Sequence, residues 1–136
     1  MIPKFRAWWI QDEVMTHIYT LEFLQGGIRV SDGCWHEKFL GDEVILMQST
    51  GLKDTNGVEI FEGDIVRYTW DMLSDVNATE KGKKVRISKV FWSDWRASWA
   101  VGKKSCNNDL FRYARNGNTV EVIGNIYENP ELLNIH

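Results

Sequence analysis

The sequence predicts a mainly β protein, built as a small irregular barrel or sandwich and ending in a short helix. Three observations carry this prediction. β-formers come in short runs separated by turn residues. Turn dipeptides recur along the chain: Gly26-Gly27, Asp32-Gly33, Asn56-Gly57 and Asn116-Gly117. Seven Trp, six Phe and four Tyr in 136 residues supply the large fillers that a small β core needs.

Lys4–Trp9 alternates Phe5, Ala7 and Trp9 against Lys4, Arg6 and Trp8, which suits a strand. Val14–Phe23 fits either one strand and a turn or a short helix, because its period does not decide. Ile28–Val30 is a short strand between glycine turns, and Trp35–Gly41 has no clear pattern. Val44–Thr50 is a continuous apolar run fading into polar residues, as in a strand buried on both faces. Gly51–Gly57 is a loop ending in Asn-Gly, which favours positive φ at both central residues of a hairpin. Val58–Phe61 is a short strand or turn, Glu62-Gly63-Asp64 breaks it, and Asp64–Trp70 is a strand.

Residues 72–83 are polar without a period and read as a mobile loop. Lys84–Trp92 is a strand whose alternation breaks before Val90, so a bulge is expected. Ser93-Asp94 turns into a second aromatic strand, Trp95–Val101. Lys103–Asp109 reads as a polar loop and Leu110–Ala114 as a short strand or turn. Thr119–Tyr127 is a strand bent at Gly124. Asn129-Pro130-Glu131 starts the short helix, with Asn129 as N-cap and Pro130 at the first helical position.

Composition narrows the function classes. Hydrophobic residues make up 43% and charged residues 26%, which excludes a disordered chain. Sixteen Lys+Arg against nineteen Asp+Glu leave a charge of −3, which argues against a general cationic footprint but not a local patch. No apolar run reaches the roughly 18–20 residues of a membrane span, and the start has no apolar signal core. The expectation is a cytoplasmic protein with no membrane association. Cys34 and Cys106 are far apart, and in that compartment two free thiols are expected. Cys34-Trp35-His36 is too short to supply a zinc site, so no metal and no cofactor are expected.

Three stretches resemble a known family. Gln48-Ser-Thr50-Gly51-Leu52-Lys-Asp54-Thr-Asn56-Gly57 continues into Glu62-Gly63-Asp64-Ile65-Val66. Lys4-Phe5-Arg6-Ala7-Trp8 opens the chain, and Gly124-Asn125-Ile126-Tyr127-Glu128-Asn129-Pro130-Glu131-Leu132 closes it. Together they resemble the YopX family of phage and prophage proteins, with a divergent middle from about 70 to 115. Trp9 departs from the opening motif, where a polar or acidic residue is expected. The resemblance implies one domain over 1–136, a small barrel-like body and expression from a phage or prophage genome in a bacterial cell. It implies no activity and no catalytic residue. Glu62-Gly63-Asp64-Ile65-Val66 is also similar to the turn leading into SH3-like barrels.

Turn chemistry accounts for most of these motif residues. Asp54 and Asn56 suit local hydrogen bonds to backbone, and Gly51 and Gly57 suit conformations closed to other residues. Glu62 and Asp64 have no nucleophilic or basic partner in view, and Asn125 can anchor a buried turn. Cys34 and His36 on one strand face lack a third group to orient them. Phosphate-loop, nucleophile-elbow and zincin motifs are absent from the sequence.

Recognition chemistry concentrates in Trp92-Ser-Asp-Trp95-Arg96-Ala-Ser-Trp99. Tryptophan and arginine dominate binding hot spots. On one unbroken strand Trp95 and Trp99 would share a face and Trp92 would take the other, so at least one is expected at the surface. Lys81, Lys83, Lys84, Arg86, Lys89, Arg96, Lys103, Lys104, Arg112 and Arg115 make this half locally basic. The leading expectation is a non-enzymatic accessory protein binding a host or phage protein through Trp92, Trp95, Arg96 and Trp99. The alternatives are a nucleic-acid-binding module using the basic half and an enzyme of unrecognised type. The oligomeric state is open.

Overall fold

The computed structural model describes residues 4–33, 37–70, 84–103, 106–115 and 120–135. The chain divides into two compact units, Met1–Gly51 and Leu52–His136, and strands dominate both.

The first unit holds β1 (Phe5–Trp9), β2 (Val14–Ile18), β3 (Thr20–Leu24), β4 (Gly27–Ser31), β5 (Glu37–Phe39) and the start of β6 (Val44–Lys53). β1 lies between β2 and β6, antiparallel to both, with Ala7 opposite Thr16 and Leu46. β3, β4 and β5 form an antiparallel meander. Ala7, Trp9, Val30 and Val44 are buried together, with Ile18, Leu21, Leu40 and Leu46 packed around them. The small Ala7 and the large Trp9 lie on one face of β1 and both enter this core. Trp9, the departure from the family motif, is therefore a core residue, 4% exposed, with the Lys38 Nζ 5.5 Å from its ring centroid. The ambiguous Val14–Phe23 segment is two strands separated at Tyr19. On β4, Arg29 bonds Glu22 and faces Glu37. Both acids raise its pKa, the Glu22 hydrogen bond most.

The second unit holds β7 (Glu59–Phe61), β8 (Asp64–Trp70), β9 (Lys84–Lys89), β10 (Phe91–Ser93), β11 (Ser98–Lys103), β12 (Cys106–Asp109), α1 (Leu110–Arg115), β13 (Val120–Asn125) and a 3-10 turn at Pro130–Ile135. Two antiparallel sheets, β13-β8-β9 and β10-β11-β12, make its body. Ile60, Val66, Tyr68, Val90, Val101, Leu110 and Val120 form its core. The Ser88 hydroxyl on β9 accepts from the Gly102 amide on β11 at 2.8 Å, tying the two sheets together.

One carboxylate organises the family motif. Asp54 is 4% exposed. Its Oδ1 accepts from the amides of Asn56 and Val58, both at 2.8 Å, and so shapes the loop. Its Oδ2 accepts from the amide of Val122 on β13 at 2.9 Å, across 68 residues of sequence. The Thr55 amide, next to it, donates to the Val120 carbonyl. Gly51 and Gly57 have φ of 78° and 80°, as turn chemistry predicts. Asn56 differs from expectation: it does not take positive φ, because the Asp54 carboxylate holds its amide and the loop is not a two-residue hairpin.

The other motifs are turns of the same kind. Asp64 Oδ2 accepts from the Phe61 amide at 2.8 Å, closing the Glu62-Gly63 turn. Gly63 and Asp64 then exchange backbone bonds with Val90, which separates β9 from β10 where a bulge was expected. On β13 the register shifts between Val122 and Gly124. A Cβ at Gly124 would stand 2.6 Å from Asn129 Oδ1, so any other residue there must displace the Asn129 side chain. Asn125 Oδ1 accepts from the amides of Tyr127 and Glu128, which is the anchoring role foreseen.

Several expectations are corrected. The short C-terminal helix is present at Pro130–Ile135, but as a 3-10 helix. Asn129 does not cap it forward: its Oδ1 turns back to the Asn125 amide, and its carbonyl accepts from Leu132 three residues on. Lys103–Asp109 is not a loop, because Cys106–Asp109 pairs with β11. Leu110–Arg115 is a helix, started by the Asp109 carboxylate accepting from the Phe111 amide and anchored by the fully buried Leu110. The loop expected at 72–83, the turn at Asn116-Gly117-Asn118 and the pair Cys34 and His36 lie outside the described residues.

Asp54→Ala leaves three part-buried amides without their acceptor. Each lost bond costs about 1 kcal/mol where water can replace the acceptor, so the expected loss is about 2–3 kcal/mol of a total of roughly 5–15. Asp54→Asn keeps one carbonyl oxygen and is expected to lose less. Urea unfolding of both variants measures this; a loss below about 1 kcal/mol for Asp54→Ala contradicts the assigned role.

Candidate functional site

The aromatic segment is a hairpin. β10 and β11 pair with Trp92 opposite Trp99 and Ser93 opposite Ser98. Asp94, Trp95, Arg96 and Ala97 form the turn between them. The single-strand alternation expected for the three tryptophans does not hold, because the turn lies between Trp92 and Trp99. Those two are cross-strand neighbours on one face, and Trp95 belongs to neither strand.

Each tryptophan has a distinct environment. Trp99 is half-buried and packs against the core of the second unit. Trp92 lies edge-to-face on it, with ring centroids 5.2 Å apart and planes at 76°. Trp92 is 46% exposed. Trp95, at the tip, is 85% exposed. The Arg96 guanidinium carbon stands 5.2 Å from the Trp95 ring centroid, within cation–π range.

The tip is shaped by its neighbours. The buried Ser93 hydroxyl accepts from the Arg96 amide at 3.3 Å, holding the turn from inside. Ala97 has φ of 53°, a left-handed conformation that costs an alanine about 1–2 kcal/mol. An indole buries about 150–250 Å² when it is packed away. At about 25 cal/mol per Å², leaving it in water forgoes roughly 4–6 kcal/mol. The left-handed Ala97 is backbone strain at the hairpin tip beside an indole left in water, and such strain clusters at functional sites.

The remaining candidates separate. Glu62 and Asp64 belong to a turn, and Asp64 is buried on the Phe61 amide. Arg86, Lys89 and Arg96 are exposed. Lys81, Lys83 and Lys104 lie outside the described residues, as do the side chains of Lys84, Lys103, Arg112 and Arg115. Among the described residues no group of three or more His, Cys, Asp or Glu is placed to hold a metal. No described helix is long and apolar enough to cross a membrane.

Two features were missed in the sequence. In the second unit, Thr55, Arg67, Tyr68, Thr69, Val85, Val120 and Glu121 line an open cleft of about 290 Å³. Arg67 and Glu121 pair across neighbouring strands at 2.6 Å along it. In the first unit, Tyr19, Phe23 and Phe39 are exposed at 76%, 75% and 46%. Splitting Val14–Phe23 at Tyr19 would have shown Phe23 beyond the core pair Leu21 and Val30.

Trp95→Ala is expected to change stability by less than about 0.5 kcal/mol, as for an exposed site. It should also remove the emission that is most accessible to acrylamide among the described tryptophans. Trp99→Ala, in contact with the core, is expected to cost about 3 kcal/mol or more. Urea unfolding and acrylamide quenching of both variants check this; equal costs would contradict the placement.

The comparisons agree with the motif architecture. The family model described as YopX protein matches residues 4–134, across both units. No curated protein matches the chain. Among solved structures the chain is similar to the crystal structure of protein EF1440 from Enterococcus faecalis. The two share 26% identity over 98% of this chain and 99% of that one, with a TM-score of 0.63. Motif, fold and match together show that the chain belongs to the YopX family.

Proposed function

We propose that this protein is a non-enzymatic phage or prophage accessory protein that captures a protein partner in the bacterial cytoplasm through Trp95 and Arg96. One observation carries the proposal: an indole that is 85% exposed stands at the tip of a built hairpin, with a guanidinium over its face. Trp and Arg are the side chains that dominate binding hot spots. The hairpin base is the Trp92–Trp99 pair, seated on the core, so the tip rests on a rigid element. The net charge of −3 favours a protein over nucleic acid. On this reading residues 1–136 act as one family domain, and the second unit is a small-barrel platform of the SH3-like kind that presents the tip.

A second reading keeps a foothold in the same geometry. Exposed aromatics beside a cation also stack on unpaired bases, and Arg86 and Lys89 are exposed in the same unit. Phosphate contacts would make such binding fall steeply with salt.

The test is affinity capture of the tagged protein from phage-induced host lysate, with and without nuclease, beside a Trp95→Ala/Arg96→Ala variant. The expected result is one dominant protein that survives nuclease and is lost in the folded variant. Recovery that nuclease abolishes would move nucleic acid to first place. Equal capture by the variant would remove the tip as the site.

A further inference from the structure

In the first unit β3 is an edge strand: among the described residues it pairs with β4 alone. Two backbone bonds show which of its groups face outward. The Leu40 amide donates to the Ile28 carbonyl, so Ile28 on β4 turns its backbone groups toward β5. The Tyr19 amide donates to the Ser31 carbonyl, so Ser31 turns toward β3. These directions alternate along an antiparallel ladder. Phe23 opposite Ile28, and Leu21 opposite Val30, therefore turn their amides and carbonyls away from β4.

Edge strands are ordinarily blunted by brevity, charge, proline or a bulge. β5, at the other edge of this meander, is three residues long and carries Glu37 and Lys38. β3 is Thr-Leu-Glu-Phe-Leu, with no proline, glycine or basic residue. Its one charge, Glu22, is held by Arg29 of its own sheet. Tyr19, Phe23 and Leu24 are exposed along it. The pattern of the strand is complementary to itself. Turned antiparallel about Glu22, β3 sets Leu21 opposite Phe23 of a second copy and Phe23 opposite its Leu21. These are the residues whose backbone groups face outward. Both lie on the core side of the sheet, where Leu21 packs against the buried Val30 and the exposed Phe23 stands opposite the half-buried Ile28. The row Val30, Leu21, Phe23, Ile28 is then apolar across the join. On the opposite face the row reads Arg29, Glu22, Glu22, Arg29, so each acid keeps a cation beside it and the charges balance. A two-fold contact of this kind uses the same patch twice and closes on itself. We propose that two copies of the chain dimerise by pairing β3 with β3 about Glu22, joining two three-stranded sheets into one.

The test is sedimentation equilibrium of the full chain beside Phe23→Lys and Phe23→Pro, each checked for folding by circular dichroism. Phe23→Pro removes an amide that bonds nothing within the sheet, and an edge strand tolerates proline there. The expected result is a reversible dimer of the wild type at about 0.1 mM, weakened at least about tenfold in either variant. The register is read from Glu22→Cys, oxidised with diamide. Residues opposed in a non-hydrogen-bonded pair have Cα atoms about 4.5 Å apart, within disulfide reach. Glu22→Cys is expected to cross-link into a dimer on a non-reducing gel far more than the wild type or Thr20→Cys, whose new cysteine faces Leu24 instead of its own copy. A wild type that stays monomeric up to about 1 mM, or a dimer equally tight in both folded variants, would overturn the inference. Equal cross-linking of Thr20→Cys and Glu22→Cys would overturn the pairing about Glu22.

Discussion

The Asp54 carboxylate is the contact on which the second unit depends. A loop and a strand far apart in sequence share one buried acceptor: Oδ1 serves Asn56 and Val58, and Oδ2 serves Val122. Hydrogen bonds to an ionised acceptor are the stronger kind, at about 1.5–3 kcal/mol against roughly 1 for neutral pairs. The same contact holds β13 at Val122, where its register on β8 begins to shift toward Gly124. Gly124 then clears space for Asn129, and Asn125 folds the chain back through Tyr127 and Glu128. The long family motif and the C-terminal motif are thus two halves of one hydrogen-bonded assembly.

This explains why the densest polar stretches of the sequence are poor candidates for chemistry. Their acceptors are spent on backbone amides: Asp54 on three, Asp64 on Phe61, Asn125 on two and Asn129 on one. A carboxylate engaged in this way has little capacity left for a ligand. Trp95 and Arg96 lie outside this hydrogen-bonded frame, stacked at the tip of the β10–β11 hairpin.

Sequence reasoning reached the elements whose local chemistry and tertiary role agree. Lys4–Trp9, Asp64–Trp70 and the bend at Gly124 are legible because alternation, glycine and register coincide. It missed elements that depend on partners. Cys106–Asp109 is Cys-Asn-Asn-Asp, with little strand propensity, and extends only because β11 supplies its ladder. The four-residue turn at Asp94–Ala97 has no glycine or Asn-Gly signal, and Ala97 takes the left-handed conformation at a cost no local rule foresees. The aromatic cluster in Trp92–Trp99 was visible in composition, but which indole faces water was not. That follows from where the turn falls, because moving it reverses every face assignment.

Native-state hydrogen exchange on the amides of Asn56, Val58 and Val122 tests the shared carboxylate most directly. If Asp54 joins loop and strand into one cooperative unit, all three amides exchange with the same free energy, close to that of global unfolding. If Asn56 and Val58 exchange by local fraying while Val122 stays protected, the loop is held independently and the assembly described above is wrong.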